Sequence, residues 1–549
     1  MTHHHGVITA KEEFLYPDSE LSALPDRVTI DVAKNGKAGI QILLETMEHS
    51  GSIRISGNEF DVEYFQMLDV PVEYNTGDDE NQAGQMVLME PSQVCPPYAT
   101  RKAPFRVYDC LKPVPGPEIC CTKQRLAAYL CLSPRPDTKP GHYELLLQVC
   151  TGCFVHRCVI AICVHSVWIP LDEFQVTNWF SLDAISRFHH VNPRTEGFLE
   201  MLHLYAKAMR RAHQTAFLIE IDKECLISQS PYQFRFEHLK PVIRCFFQEG
   251  FRTLEIAGIL SCGYLPNEAQ DKKTDSLKCA LLPHIAADSE EGYFYLSALM
   301  RDLGTFLQEN SWTEQQLLLH VMDEPDEHCP DEHTLQARRV QYYMAANLAR
   351  RYIPNVKIIE AVKSTAFRGA IDIMVPVVSG YQKNKEEFDK MIRFGDELWG
   401  YVCCTPEGFW LNRFLDFALL RGRLLFWGCA ANAMSGFLHW GFNQFLPGMN
   451  PFEGTSGRNT SGIGTDFPCG DAFIVYPGTD GPWLSMRLEA ARQGAEDACL
   501  LRRASALQSE KCKEVIASVF ESFRNYNADP ERFSDTYKNL LTLFEQIEG

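Results

Sequence analysis

The chain has 549 residues, 45% hydrophobic and 22% charged, the balance of a globular protein long enough for two or more domains. A formal charge of −19 excludes a protein built to grip phosphate backbones, which need a basic footprint, so no nucleic-acid partner is expected. No apolar run approaches the roughly 20 residues that cross a bilayer, so no membrane partner is expected either. The start, Met1-Thr2-His3-His4-His5-Gly6, lacks the apolar centre of a signal peptide, and the expected location is cytoplasmic. Twenty cysteines are scattered through apolar runs such as Cys158 to Cys163 and read as reduced core thiols. Cys150-Thr151-Gly152-Cys153 has zinc-ligand residues, with His156 and Cys158 nearby, but lacks a second pair. Thr151-Gly152 between two strand-like runs reads instead as a hairpin turn. No metal and no cofactor is expected.

Residues 1–170 read as a β-sandwich accessory domain. Arg27 to Val32, Phe60 to Phe65 and Tyr143 to Val149 alternate, separated by turn signals at Asn35-Gly36, Ser50-Gly51, Pro140-Gly141 and Thr151-Gly152. Beyond Pro170 the rhythm becomes strand, then helix. Expected strands cover 174–180, 216–219, 253–257, 317–322, 356–361, 371–376, 398–402 and 424–428. Expected helices cover 195–212, 239–249, 296–310, 334–352, 385–394 and 411–420. Eight strands over about 250 residues match a (β/α)8 TIM-like barrel, assigned to residues 171–480 as the catalytic domain. Residues 443–470 read as a long loop over the barrel mouth, and 471–478 as one further strand and turn. Residues 481–549 form a C-terminal helical segment, with a break near Asn527-Ala528-Asp529-Pro530.

The most informative stretch is Leu317-Leu318-Leu319-His320-Val321-Met322-Asp323-Glu324-Pro325. An apolar run of strand length ends on two adjacent carboxylates, and Pro325 stops the ladder. In a parallel barrel, catalytic groups sit at the C-terminal ends of strands. A solvated acidic loop is the plain alternative, since Asp326, Glu327, Asp331 and Glu332 follow. Other polar and aromatic residues on or beside expected strands include Trp179, Glu255, Asp372, Trp399, Tyr401 and Trp427. Carboxylates beside tryptophans suit a carbohydrate, because aromatic faces stack on pyranose C–H faces while acids and amides bind hydroxyls. The candidate substrate-binding set is Trp179, Asp372, Trp399, Tyr401, Arg413, Trp427, Trp440, Asn443 and Asp471. Adjacent acids cannot easily flank a scissile bond, but they suit substrate-assisted chemistry, in which a 2-acetamido group is the nucleophile.

The chain resembles the glycoside hydrolase family 123-type N-acetyl-β-galactosaminidases. The likeness is carried by Lys139-Pro140-Gly141-His142-Tyr143, Asn178-Trp179-Phe180, His320 to Pro325, Asp372 to Pro376, Leu398 to Val402, Tyr476-Pro477-Gly478 and Ser485 to Glu489. Met374 and Gly400 depart from the family's more aromatic pattern. The resemblance implies a retaining exo-glycosidase that removes terminal β-linked N-acetylgalactosamine through an oxazolinium intermediate. It makes Glu324 the general acid/base and Asp323 the residue that orients the acetamide. The expected partner is an oligosaccharide or glycoconjugate ending in a 2-acetamido sugar, with a homo-oligomer also considered. The alternatives are a related glycosidase with another sugar, a non-catalytic carbohydrate-binding protein on the same scaffold, and a metal hydrolase using His320, Asp323, Glu324 and His328.

Overall fold

The computed structural model describes residues 5–78, 85–90, 94–171, 173–262, 276–326, 329, 331–459 and 464–548. Two compact units emerge, both discontinuous in sequence. One comprises Met1–Phe174, Cys404–Asn432 and Gly441–Gly549; the other comprises Gln175–Cys403 and Ala433–Trp440.

In the first unit an eight-stranded and a five-stranded sheet pack face to face. Period-two alternation decides which side chains meet. Ile40, Ile42 and Leu44 of Ala38–Glu45 and Leu126, Ala128, Leu130 and Leu132 of Arg125–Pro134 face Leu145, Leu147, Val149, Ile160 and Ile162. The Thr151-Gly152 signal is indeed a hairpin, with Thr151 opposite Phe154 and Gly152 at φ +54°. Ser50-Gly51 is not a turn; both residues open the strand Ser50–Ile55. Of the expected strand at 471–478 only Tyr476–Gly478 is regular. Gly481–Ser485 then pairs with the large sheet at Cys110 and Leu111.

The helical segment follows as Met486–Leu507, Ser509–Ala517 and Pro530–Glu548, the last opening on the proline that marked the break. Among the described residues, no helix is long and apolar enough to cross a membrane.

The second unit is a parallel barrel. Its strands, in chain order, are Gln175–Asn178, Ala216–Glu220, Thr253–Ala257, Gln316–Leu319, Lys357–Val362, Ile373–Pro376, Glu397–Tyr401 and Gly436–His439. From the second strand to the eighth each pairs with the next in sequence, and the eighth pairs with the first. The seam between the first and second strands is nearly closed by Thr215, whose amide donates to the Val176 carbonyl at 2.9 Å. Ser181, Thr195, Ser289 and Asp331 each cap a helix by accepting from the amide three residues on. Registers place Thr177, Glu255, Leu318, Ile359, Ile373, Trp399 and Leu438 on one face, the barrel interior.

The expected eighth strand at 424–428 is wrong. Those residues lie inside the helix Leu420–Ala431 of the first unit, and the expected helix at 411–420 is largely irregular chain leading into it. Leu424-Leu425-Phe426-Trp427-Gly428 reads as a buried strand because periodicity cannot separate a short apolar strand from a helix buried all round. This helix is such a case: Gly428 lies against Phe520 and Phe523, and Phe426 lies against Gly494.

Candidate active site

The fourth barrel strand stops at Leu319, and Val321 to Asp326 form an irregular turn at its C-terminal end. Asp323 is exposed and Glu324 half-buried. Glu324 holds φ at +48°, a left-handed conformation uncommon for a side-chain-bearing residue. The surrounding chain fixes this turn at several points. The Leu260 amide donates to the Val321 carbonyl at 2.9 Å, and the Met322 amide donates to Glu360 Oε2 at 3.0 Å. Arg338, wholly buried, donates from Nη1 to the Pro325 carbonyl at 3.2 Å. Asp326 accepts from the amides of Lys363 and Ser364 and from the Ser364 hydroxyl. Asp331 is the helix cap already described. Two of the four acids that follow, Asp326 and Asp331, thus have structural partners, while Asp331 and Glu332 are also exposed to solvent.

Below the turn lies a buried charged centre. His320, 2% exposed, places Nε2 at 2.5 Å from Glu255 Oε1 and Nδ1 at 2.9 Å from Glu360 Oε1. Burial alone would lower the imidazole pKa, but the Glu360 and Glu255 carboxylates outweigh it and push it up to about 10. His320 is thus an imidazolium between two carboxylates. Glu255 also accepts from the Trp179 indole at 2.9 Å and from Thr177 Oγ1 at 2.8 Å, while Glu360 accepts from Tyr342 Oη at 2.9 Å. The Trp179 ring meets His320 edge-on, centroids 5.2 Å apart. With both ring nitrogens engaged, His320 has none to offer a metal in this arrangement. His328, the other imidazole of the metal reading, lies outside the described residues.

Tyr401 ends the seventh strand and packs in the interior cluster that Trp179 joins. Burial first, then the neighbouring Cys403, Glu324 and Asp323, hold its phenol well above the usual value. It therefore remains a neutral hydroxyl within electrostatic reach of both carboxylates.

The remaining expected residues separate by location. Trp440 is half-buried, one residue past the eighth strand. Trp399 sits within the seventh strand, fully buried, its indole donating to Glu397 at the strand's beginning. Its ring lies on Gly436, where an added Cβ would stand 2.5 Å from Cδ2. Asp372 precedes the sixth strand. It accepts from the Ile358 amide at 2.7 Å and from Arg350 at 2.8 Å, at the opposite, N-terminal end of the barrel. Arg413, Asn443 and Asp471 are buried in the first unit. Arg413 donates to the Gly441 carbonyl at 2.5 Å; burial and nearby Arg487 lower its pKa, while Asp471 opposes that. Trp427, in the same unit, donates to Asp497 at 2.7 Å from the middle of its helix. The sequence reading had no role for Glu360 or Tyr342. The available signal was a lone carboxylate inside the apolar run Ile358-Ile359-Glu360-Ala361-Val362.

A parallel barrel with paired carboxylates and aromatic side chains at its C-terminal strand ends has the architecture of a barrel glycosidase. The chain belongs to glycoside hydrolase family 123: the family described as glycoside hydrolase 123, catalytic domain, matches residues 179–504. It is thus a glycoside hydrolase by family. Among curated proteins none matches this sequence. Among solved structures, a family 123 glycoside hydrolase from Clostridium perfringens, studied for glycolipid glycan hydrolysis, has a TM-score of 0.67 at 13% identity. That alignment covers 100% of this chain and 98% of the other. A family 39 glycoside hydrolase from Bacteroides cellulosilyticus aligns at a TM-score of 0.36 and 12% identity, over 85% and 81% of the two chains, a likeness too distant to build on.

Proposed function

We propose that this glycoside hydrolase is a retaining exo-glycosidase that removes terminal β-linked N-acetylgalactosamine from oligosaccharides or glycoconjugates by substrate-assisted catalysis. The observation that carries the reading is the adjacency of Asp323 and Glu324 on one fixed turn at the C-terminal end of the fourth barrel strand. Consecutive carboxylates approach a sugar from one side. A carboxylate nucleophile would stand about 5 Å from the acid, and an inverting base farther, across the scissile bond. The nucleophile is therefore assigned to the substrate.

Glu324 gives its proton to the glycosidic oxygen as the bond from that oxygen to C1 breaks. The acetamide oxygen closes on C1 to form the oxazolinium ring, while Asp323 accepts the acetamide N–H and offsets the developing positive charge. Water then attacks C1, Glu324 takes its proton, and the ring opens with the β configuration retained. Tyr401 supplies a hydroxyl donor for the acetamide oxygen. The Clostridium perfringens relative's glycolipid glycan hydrolysis supports a glycoconjugate substrate.

Nitrophenyl β-glycosides of N-acetylgalactosamine, N-acetylglucosamine and galactose test the proposal. Turnover is expected only with the 2-acetamido sugars, fastest with N-acetylgalactosamine. Hydrolysis of the plain galactoside at a comparable rate would remove the substrate-assisted mechanism.

A further inference from the structure

The centre formed by Glu255, His320 and Glu360 does more than fill the barrel. Burying three ionised groups costs several kcal/mol for each ion, and a buried ion set is a weak source of stability against apolar packing. The adjoining interior is apolar and aromatic: Leu318, Ile359, Ile373, Val375, Trp399 and Leu438. What distinguishes the charged set is where its outer hydrogen bonds lead. Glu360 holds the Met322 amide, one residue before Asp323, and Glu255 holds the Trp179 indole. The turn that Glu360 restrains contains the left-handed Glu324, and such backbone persists only where its surroundings over-determine it.

We propose that Glu360 is the positioning residue of the Asp323–Glu324 turn and Glu255 that of Trp179, with His320 locking the two carboxylates to a common centre. Acid and aromatic platform are then set from the same imidazole. The inference rests on the reading of Asp323 and Glu324 as the working pair. It predicts different kinetic signatures for the two carboxylates. Loosening Glu360 misplaces the proton donor and acts on kcat. Loosening Glu255 frees the aromatic platform and acts chiefly on KM.

The test uses the full-length enzyme and aryl 2-acetamido-β-glycosides whose leaving phenols span a range of acidity. Glu360→Gln should lower kcat on the order of tenfold to a hundredfold with KM nearly unchanged. It should also steepen the dependence of log(kcat/KM) on leaving-group pKa, because poorer proton delivery makes the enzyme rely on leaving-group acidity. Tyr342→Phe removes one donor to Glu360 without changing charge and should shift both quantities in the same direction by a smaller factor. Glu255→Gln should raise KM severalfold and leave that slope alone. Should Glu360→Gln fail to fold, Tyr342→Phe alone decides. A folded Glu360→Gln or Tyr342→Phe with the parent's kcat and slope overturns the positioning role, as does a Glu255→Gln that matches Glu360→Gln in both. Glu324→Gln is the control for the underlying reading. Full activity in that variant would overturn the assignment of the pair itself, and the inference with it.

Discussion

Replacing His320 with glutamine tests the buried charged centre through its pH dependence. In the folded protein the imidazole titrates near 10 against an ordinary 6.5, because burial is outweighed by Glu360 and Glu255. A folded pKa raised in this way contributes stability that is fully present below pH 6.5 and lost as pH rises through 10. Each pH unit in that interval removes at most about 1.4 kcal/mol. Between pH 6.5 and 8.5 the His320 contribution falls by about 2.3 kcal/mol, because the unfolded imidazole is already half deprotonated at pH 6.5; cysteine ionisation in the unfolded chain adds a further loss common to parent and variant. At roughly 2–4 °C per kcal/mol for a unit of this size, the His320 share lowers the barrel transition by roughly 5–9 °C over that range. His320→Gln abolishes that proton uptake and leaves two carboxylates without their cation. It should cost roughly 3–5 kcal/mol at pH 6.5. Differential scanning fluorimetry of both proteins across this range makes the comparison. Parallel curves for parent and variant between pH 6.5 and 8.5 would refute the imidazolium assignment.

Two further predictions concern neighbouring residues. Tyr401→Phe keeps the buried ring but removes the hydroxyl proposed to donate to the acetamide oxygen; kcat on the 2-acetamido substrate should drop on the order of tenfold to a hundredfold, with little change in melting temperature. Gly436→Ala places a methyl against the Trp399 indole and should destabilise the barrel by about 1–3 kcal/mol in thermal or denaturant unfolding, since neither ring nor strand has room to move.

Seven of the eight barrel strands are legible in the sequence because strands buried on both faces are written as short apolar runs between helical segments. The eighth is not, since Gly436-Phe437-Leu438-His439 holds only two apolar side chains between a glycine and a histidine, while the nearby Leu424 to Gly428 is apolar throughout and belongs to a helix. Asp323 and Glu324 stand out for a reason of direction. They follow an apolar strand, and in a parallel barrel the residues after a strand lie at the end where sites form. Asp372 precedes its strand, so the same rule sends it to the opposite end, where it secures Ile358 and Arg350. Strand direction, weighed together with proximity, is enough to separate these acids.

The His320 centre illustrates what one-dimensional reading misses. Its partners lie 65 and 40 positions from His320, and only the parallel registers bring three neighbouring strands' polar residues together. Nor is buried charge by itself a mark of a site. Arg423 with Asp497, Arg487 with Asp109 and Arg492 with Glu496 are all buried pairs in the first unit. Their hydrogen bonds run to one another, to the backbone at Gly470 and Lys37, and to side chains of the same unit, Glu12, Gln493, Trp427 and Tyr476 among them. Around His320 the bonds run outward instead, through Glu360 to the amide preceding Asp323 and through Glu255 to the indole of Trp179. That difference in destination is the physical ground for assigning the Arg423, Arg487 and Arg492 pairs to the scaffold and Glu255, His320 and Glu360 to the reaction.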